Sequence, residues 1–141
     1  MDVWIFVRTD CPISNRYAPA IAKLQQDFAS RGVRFLLVYP EPDATQQSID
    51  RHKKEYGLQA IPAVLDLDLQ RVRKAAVRVT PETALFTDSG KLLYRGRIDD
   101  RQATLRIAKV PQKQDLRDAL LQPPKRAIFT KAIGCAIEGL R

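Results

Sequence analysis

Two apolar runs with a helical stripe between them set what this chain can fold into. Val3-Trp4-Ile5-Phe6-Val7 is apolar at every position, the pattern of a central strand covered on both faces rather than one with a wet side. Tyr17, Ile21, Leu24 and Phe28 then recur at spacings of four, three and four, a helical stripe ending near Arg31-Gly32, with Pro19 expected to kink it. Val33-Arg34-Phe35-Leu36-Leu37-Val38-Tyr39 is a second buried strand. A strand, a helix and a strand in that order imply a parallel pair joined by a right-handed crossover.

The rest of the chain adds to this start. Asp43-Ala44-Thr45-Gln46 has capping-box spacing and predicts a second helix, with Ile49 and Tyr56 on one face and Gly57 at its end. Ile61 to Leu65 reads as a short strand, and Leu69, Val72 and Ala76 as a short helical stripe leading into Val77-Arg78-Val79-Thr80-Pro81. Thr83 to Thr87 and Lys91 to Arg97 flank the turn Asp88-Ser89-Gly90 and predict an antiparallel hairpin that closes the sheet. A last helix carrying Leu116, Ala119 and Leu120 follows Pro111, and the tail from Pro123-Pro124 to Arg141 is more weakly patterned. The expected fold is an α/β three-layer sandwich: a central mixed sheet, parallel strands plus a C-terminal hairpin, flanked by helices. A chain of 141 residues suits one core, so residues 1–141 are read as one domain, with 122–141 as a C-terminal extension.

Composition narrows the function classes. No apolar run approaches the roughly 18 residues of a membrane span. Residues Met1 to Arg8 show no basic leader or cleavage site and read as the first strand. That leaves both a cytoplasmic protein and an exported one stripped of its leader open, and oligomeric state is equally unassigned. The 24 Lys and Arg against 16 Asp and Glu give a net charge of +8, which biases encounters toward acidic partners. The cations are spread out, densest over Arg71-Val72-Arg73-Lys74-Ala75-Ala76-Val77-Arg78, and no nucleic-acid recognition motif accompanies them, so a solvated helix face is the favoured reading. Two cysteines and one histidine are too few for a disulfide-rich scaffold or an ordinary structural zinc site. No metal and no tightly bound cofactor is expected, and His52, within Asp50-Arg51-His52-Lys53-Lys54, is placed on an exposed charged helix face.

Chemistry concentrates at Cys11. It lies between a strand and a helix, among polar residues, where functional groups gather on a rigid frame. A thiol at a helix start meets unpaired backbone N–H groups and the positive end of the macrodipole, both of which favour thiolate. Arg8 and Arg16 add positive potential, and Asp10 opposes ionisation if it turns inward.

The order strand, Cys11-Pro12-Ile13-Ser14, helix with Pro19, strand, helix, Thr80-Pro81, hairpin, helix resembles the thioredoxin-like superfamily over nearly the whole chain. The resemblance makes Cys11 the nucleophile, Pro19 the helix-kinking proline and Pro81 the cis-proline facing the thiol. It also gives the Thr80 backbone an edge that binds an extended peptide or steadies a small oxidant. Thr9-Asp10-Cys11-Pro12-Ile13-Ser14-Asn15-Arg16-Tyr17-Ala18-Pro19, Thr80-Pro81-Glu82 and Tyr94-Arg95-Gly96-Arg97-Ile98-Asp99-Asp100 are similar to the bacterial redoxin group related to alkyl hydroperoxide reductase and thiol-specific antioxidant proteins. Two positions depart from the relatives. Ser14 stands where a dithiol thioredoxin has its second cysteine, so it can hydrogen-bond a thiolate but cannot close a disulfide. Arg8 stands where a peroxiredoxin has threonine, with Thr9 one position late.

The implied activity is a thiol oxidoreductase: Cys11 reduces a peroxide, is oxidised to sulfenic acid, and is restored by an external thiol or by Cys135. Cys135, in the apolar patch Ile133-Gly134-Cys135-Ala136-Ile137, is either a resolving thiol or a side chain packed on the sheet. Ser14 is expected to assist the thiolate, and Arg8 to bind substrate. Arg95 and Arg97 share parity on one strand, and Arg97 is the candidate to stabilise charge on a peroxide's leaving oxygen. Monothiol exchange with a protein or small-molecule disulfide, and a non-catalytic binding module, are the alternatives.

Overall fold

The first apolar run becomes β1 (Asp2–Phe6), an interior strand. The computed structural model describes residues 1–102 and 110–140; Arg141, the end of the predicted tail, lies outside them. On one side β1 pairs in parallel with β2 (Arg34–Tyr39), which pairs in parallel with β3 (Ala63–Leu65). On the other it pairs antiparallel with β5 (Glu82–Phe86), the first strand of the predicted hairpin, whose second strand is β6 (Leu92–Gly96). The sheet order is β3-β2-β1-β5-β6-β7, where β7 (Ile128–Phe129) runs parallel to β6. The hairpin therefore does not close the sheet: the weakly patterned tail supplies the outer strand.

Helices cover both faces, giving the predicted thioredoxin-like sandwich. Val3, Ile5 and Val7 pack with Ile21, Leu24 and Phe28 of α2 (Ala18–Phe28), Ile49 of α3 (Gln46–Tyr56) and Leu116 of α5 (Asp115–Leu121). Phe6 faces the other way, with Val72 and Ala75 of α4 (Gln70–Ala75) and with Ile137 from the tail. The predicted kink is a full break: α1 (Pro12–Arg16) stops at Tyr17, and α2 restarts with Pro19 in its first turn, where a missing N–H costs nothing. The cap of α3 falls on Thr45, not Asp43, because Thr45 and Ser48 satisfy each other's backbone N–H groups. No helix of the described residues is long and apolar enough to cross a membrane.

Candidate active site

Cys11 caps α1, and its Sγ accepts the Ser14 N–H at 3.4 Å. The Ser14 contact to sulfur is thus through its backbone; its hydroxyl accepts the Arg8 N–H at 3.3 Å. A buried polar network fixes the loop from below. Thr9 donates its N–H and hydroxyl to the two carboxylate oxygens of Glu41, each at 2.7 Å. Asn15 donates to the Thr9 carbonyl at 3.1 Å, while its own oxygen lies 2.7 Å from His52 Nε2 and His52 Nδ1 lies 2.8 Å from the Tyr39 hydroxyl.

This corrects the placement of His52, which is only 4% exposed. Ile49, His52 and Tyr56 are three and four apart, so the apolar face of the helix carries it inward; its charged neighbours on Asp50-Arg51 and Lys53-Lys54 masked that signal. The oxygen of Asn15 accepts, so Nε2 carries the proton and Nδ1 accepts from Tyr39: a neutral ring with both nitrogens satisfied. Burial lowers its pKa, against a weaker opposite pull from Glu41 and Glu55. The unfolded chain therefore takes up the proton first as pH falls through about 6.5, and stability that is full above that value is lost below it. We expect chemical denaturation between pH 7.5 and 5.5 to reveal a slope of at most about 1.4 kcal/mol per pH unit from this one group. His52→Gln should flatten that component, and an unchanged slope would refute the assignment.

Above the loop, Cys11 is bonded to Cys135, with Cα atoms 6.1 Å apart across 124 positions of sequence. The tail reaches it as β8 (Cys135–Ala136), antiparallel to β4 (Val79–Thr80), with Thr80 opposite Cys135. The Thr80-Pro81 bond is cis, and the Thr80 carbonyl oxygen lies 3.4 Å from Cys11 Sγ. A Cβ on Gly134 would collide with that carbonyl, so only glycine allows the tail this close. Arg8 bonds Asp10 at 2.5 Å and Glu138 at 2.6 Å, which holds its pKa up, the Asp10 bond being the largest cause. Glu82 fixes β4 by accepting the N–H groups of Arg78 and Val79 at 2.8 and 3.3 Å; burial raises its pKa and those bonds partly offset the rise. Cys11 is 1% exposed and the Thr80 hydroxyl is buried, without a hydrogen-bond partner among the described residues.

Of the predicted site residues, Cys11, Ser14, Cys135, Thr80, Pro81 and Arg8 converge. Arg97 is committed elsewhere: its guanidinium forms a fork on Asp115 of α5 at 2.6 and 3.4 Å. Arg95, expected on the same face, instead reaches the Ala75 carbonyl on α4 and lies over Phe129. Gly96, at φ +152°, ends the strand between them and breaks the parity. Asp99 accepts the Tyr17 hydroxyl at 3.0 Å and pairs with Arg101, so the end of the hairpin is tied to the break between α1 and α2.

A central mixed sheet, a cysteine at the start of the first helix and a cis-proline beside it define a protein of thioredoxin-like fold. Its similarity to solved structures agrees. An uncharacterised conserved protein from Geobacillus kaustophilus is 23% identical, with a TM-score of 0.80 over 99% of this chain and 77% of the other. A hypothetical protein from Sinorhizobium meliloti 1021 is 25% identical, with a TM-score of 0.79 over 97% and 78%. A secreted disulfide oxidoreductase from Mycobacterium tuberculosis is 18% identical, with a TM-score of 0.55 over 84% and 75%. No curated protein matches the sequence. The chain belongs to the Redoxin family, whose model matches residues 3–110, and at that level it is a thiol oxidoreductase. The match includes Cys11, Ser14, Thr80 and Pro81; Cys135 and the segment that carries it lie beyond it.

Proposed function

We propose that the chain is a two-cysteine thiol peroxidase. The Cys11 thiolate attacks a peroxide oxygen, giving sulfenic acid and, after protonation, an alcohol or water; the Cys135 thiol condenses with that sulfenic acid to form the disulfide and release water. An external thiol then reduces the pair. The observation that carries this reading is the Cys11–Cys135 bond with its tail laid along β4. Attack on sulfur is in line, so nucleophile and leaving group take opposite sides of Cys11 Sγ. The tail already fills the β4 side, where a polypeptide substrate would lie. With Cys11 only 1% exposed, a small leaving hydroxide suits the other side of the sulfur better than the bulk of a second protein chain. The N–H of Ser14 supports negative charge on sulfur, and the unpartnered hydroxyl of Thr80 is a donor available to an oxidant's oxygen.

Thiol–disulfide exchange is the second reading, favoured by the strand pairing of Thr80 with Cys135. The two are separated by treating the reduced protein with one equivalent of hydrogen peroxide and following intact mass. The wild type should lose two hydrogens and yield a Cys11-to-Cys135 peptide, Cys135→Ser should accumulate a trappable sulfenic acid on Cys11, and Cys11→Ser should stay reduced. If Cys11 reacts no faster than an ordinary free thiol, peroxide reduction fails and exchange takes its place.

A further inference from the structure

The outer strand β7 presents an edge on the far side of the sheet from β3, and it lies beyond the residues matched to the Redoxin family. Thr130 donates its N–H to the Arg95 carbonyl at 3.1 Å, which in a parallel ladder directs the N–H and C=O of Phe129 away from β6, onto the open edge. Among the described residues no strand pairs with that edge. Its side chains are large and apolar: Ile128 is 50% and Phe129 55% exposed. Ile128 stands beside a groove of about 260 Å³ between β7 and α5, lined also by Tyr94, Ala119, Pro124 and Thr130, with Asp118 in its wall. Phe129 points to the opposite face, under the Arg95 guanidinium at 4.4 Å. The flanks are cationic. Lys125, Arg126 and Lys131 are exposed, and none forms an ion pair among the described residues; Lys91 Nζ joins them at 3.4 Å from the Lys125 carbonyl.

A short edge strand flanked by lysine and arginine discourages pairing with copies of itself, but that leaves two half-exposed apolar side chains and the groove beside them without a role. We propose that the β7 edge is a strand-addition site for an extended acidic segment of a partner protein, apolar at its centre and carrying carboxylates at both ends. The central residue of that segment exchanges its N–H and C=O with those of Phe129. A neighbouring apolar side chain enters the groove beside Ile128, where Asp118 repels an acid. The terminal carboxylates meet Lys125, Arg126 and Lys131, on a chain whose net charge is +8. No residue bonded to Cys11 takes part, so the site stands apart from the redox reaction. A second copy fits the edge poorly, because antiparallel pairing centred on Phe129 brings Lys131 of each copy beside Arg126 of the other. A bilayer covers the apolar side chains but leaves the Phe129 N–H and C=O unpaired in an apolar phase.

The test uses the full-length, disulfide-bonded chain and the fluorescein-labelled peptide Asp-Glu-Val-Val-Val-Glu-Asp, with binding read by anisotropy. Lysine in place of the peptide's four acids should weaken binding about tenfold or more. Lys125→Glu combined with Arg126→Glu should reverse that preference. Methylating the backbone nitrogens of the three valines one at a time should weaken binding about threefold to tenfold at the residue facing Phe129 and little at its neighbours, whose N–H groups point away from β7. In the protein, Phe129→Ala keeps the outward N–H and Phe129→Pro deletes it at an edge position where proline is tolerated, so the proline variant should bind about threefold more weakly than the alanine variant. The methylation series gives the same information with the protein unaltered. Equal affinity for every methylated peptide would leave charge attraction alone and overturn the strand-addition site, as would absence of binding by the acidic peptide. Two further results would also overturn it by giving the edge to another occupant. One is a dimer in sedimentation that Phe129→Pro abolishes. The other is binding to phosphatidylserine vesicles, lost in Phe129→Ala, while the peptide stays unbound.

Discussion

Opening the Cys11–Cys135 bond should cost the folded chain about 5 kcal/mol, the loop-closure entropy returned to the unfolded state by a cross-link spanning this much sequence. The bond closes 124 positions of a 141-residue chain, so nearly the whole unfolded ensemble is constrained by it. For a domain of this size that corresponds to a fall of roughly 10–20 °C in Tm. Calorimetry of the oxidised wild type against Cys135→Ser measures it directly, and a difference under about 3 °C would contradict the account. The loss should begin in the tail. Without the bond, Ile137 contributes about 1.5–3 kcal/mol of burial and the Arg8–Glu138 pair at most about 1 kcal/mol, since Glu138 is more than half exposed. Ordering seven residues of backbone costs about 1–2 kcal/mol each, which exceeds those gains even after a few ladder hydrogen bonds are added. Backbone amide exchange at 135–138 should therefore rise far more on reduction than exchange in β1.

The parts of this site that were legible in the sequence are those whose signal is local. The run Val3 to Val7 needs no context to be a covered strand, and Cys11 after it, followed by Pro12, is enough to place a thiol at a helix start. The Thr80-Pro81 pair was recognisable through family resemblance, and its position beside sulfur follows from β4 lying next to α1. What the sequence did not disclose depends on tertiary partners. Strands of two residues, Ile128–Phe129 and Cys135–Ala136, are too short to carry a period; they form because β6 and β4 offer open edges. Arg97 shares a face with Arg95 only if the strand continues through Gly96, and the Gly96 backbone instead turns the next side chain toward Asp115. His52 had the right spacing to be buried, but burial required a partner for each ring nitrogen, and Asn15 and Tyr39 come from elsewhere in the chain.

Gly134→Val should separate the two thiols without removing either. The added Cβ meets the carbonyl of Thr80 and, behind it, the Pro81 nitrogen, which are backbone atoms that cannot swing aside as a flexible side chain would. The tail must lift, and lifting breaks the pairing that sets Cys135 opposite Thr80. A disulfide tolerates Cα separations up to roughly 7 Å, and the pair already stands at 6.1 Å, so the slack is under about 1 Å. The variant should retain two titratable thiols after treatment with a disulfide-forming oxidant, where the wild type retains none. Its Tm should fall to that of Cys135→Ser. Cys11 keeps its cap and its Ser14 N–H in this variant, so its first reaction with peroxide should proceed at the wild-type rate and stop at sulfenic acid. Closure of the bond at the wild-type rate in Gly134→Val would mean that the tail reaches Cys11 by a path that does not run along β4. Loss of the first reaction as well would mean that the tail supports the nucleophile itself, and the separation between attack at Cys11 and resolution at Cys135 would fall with it.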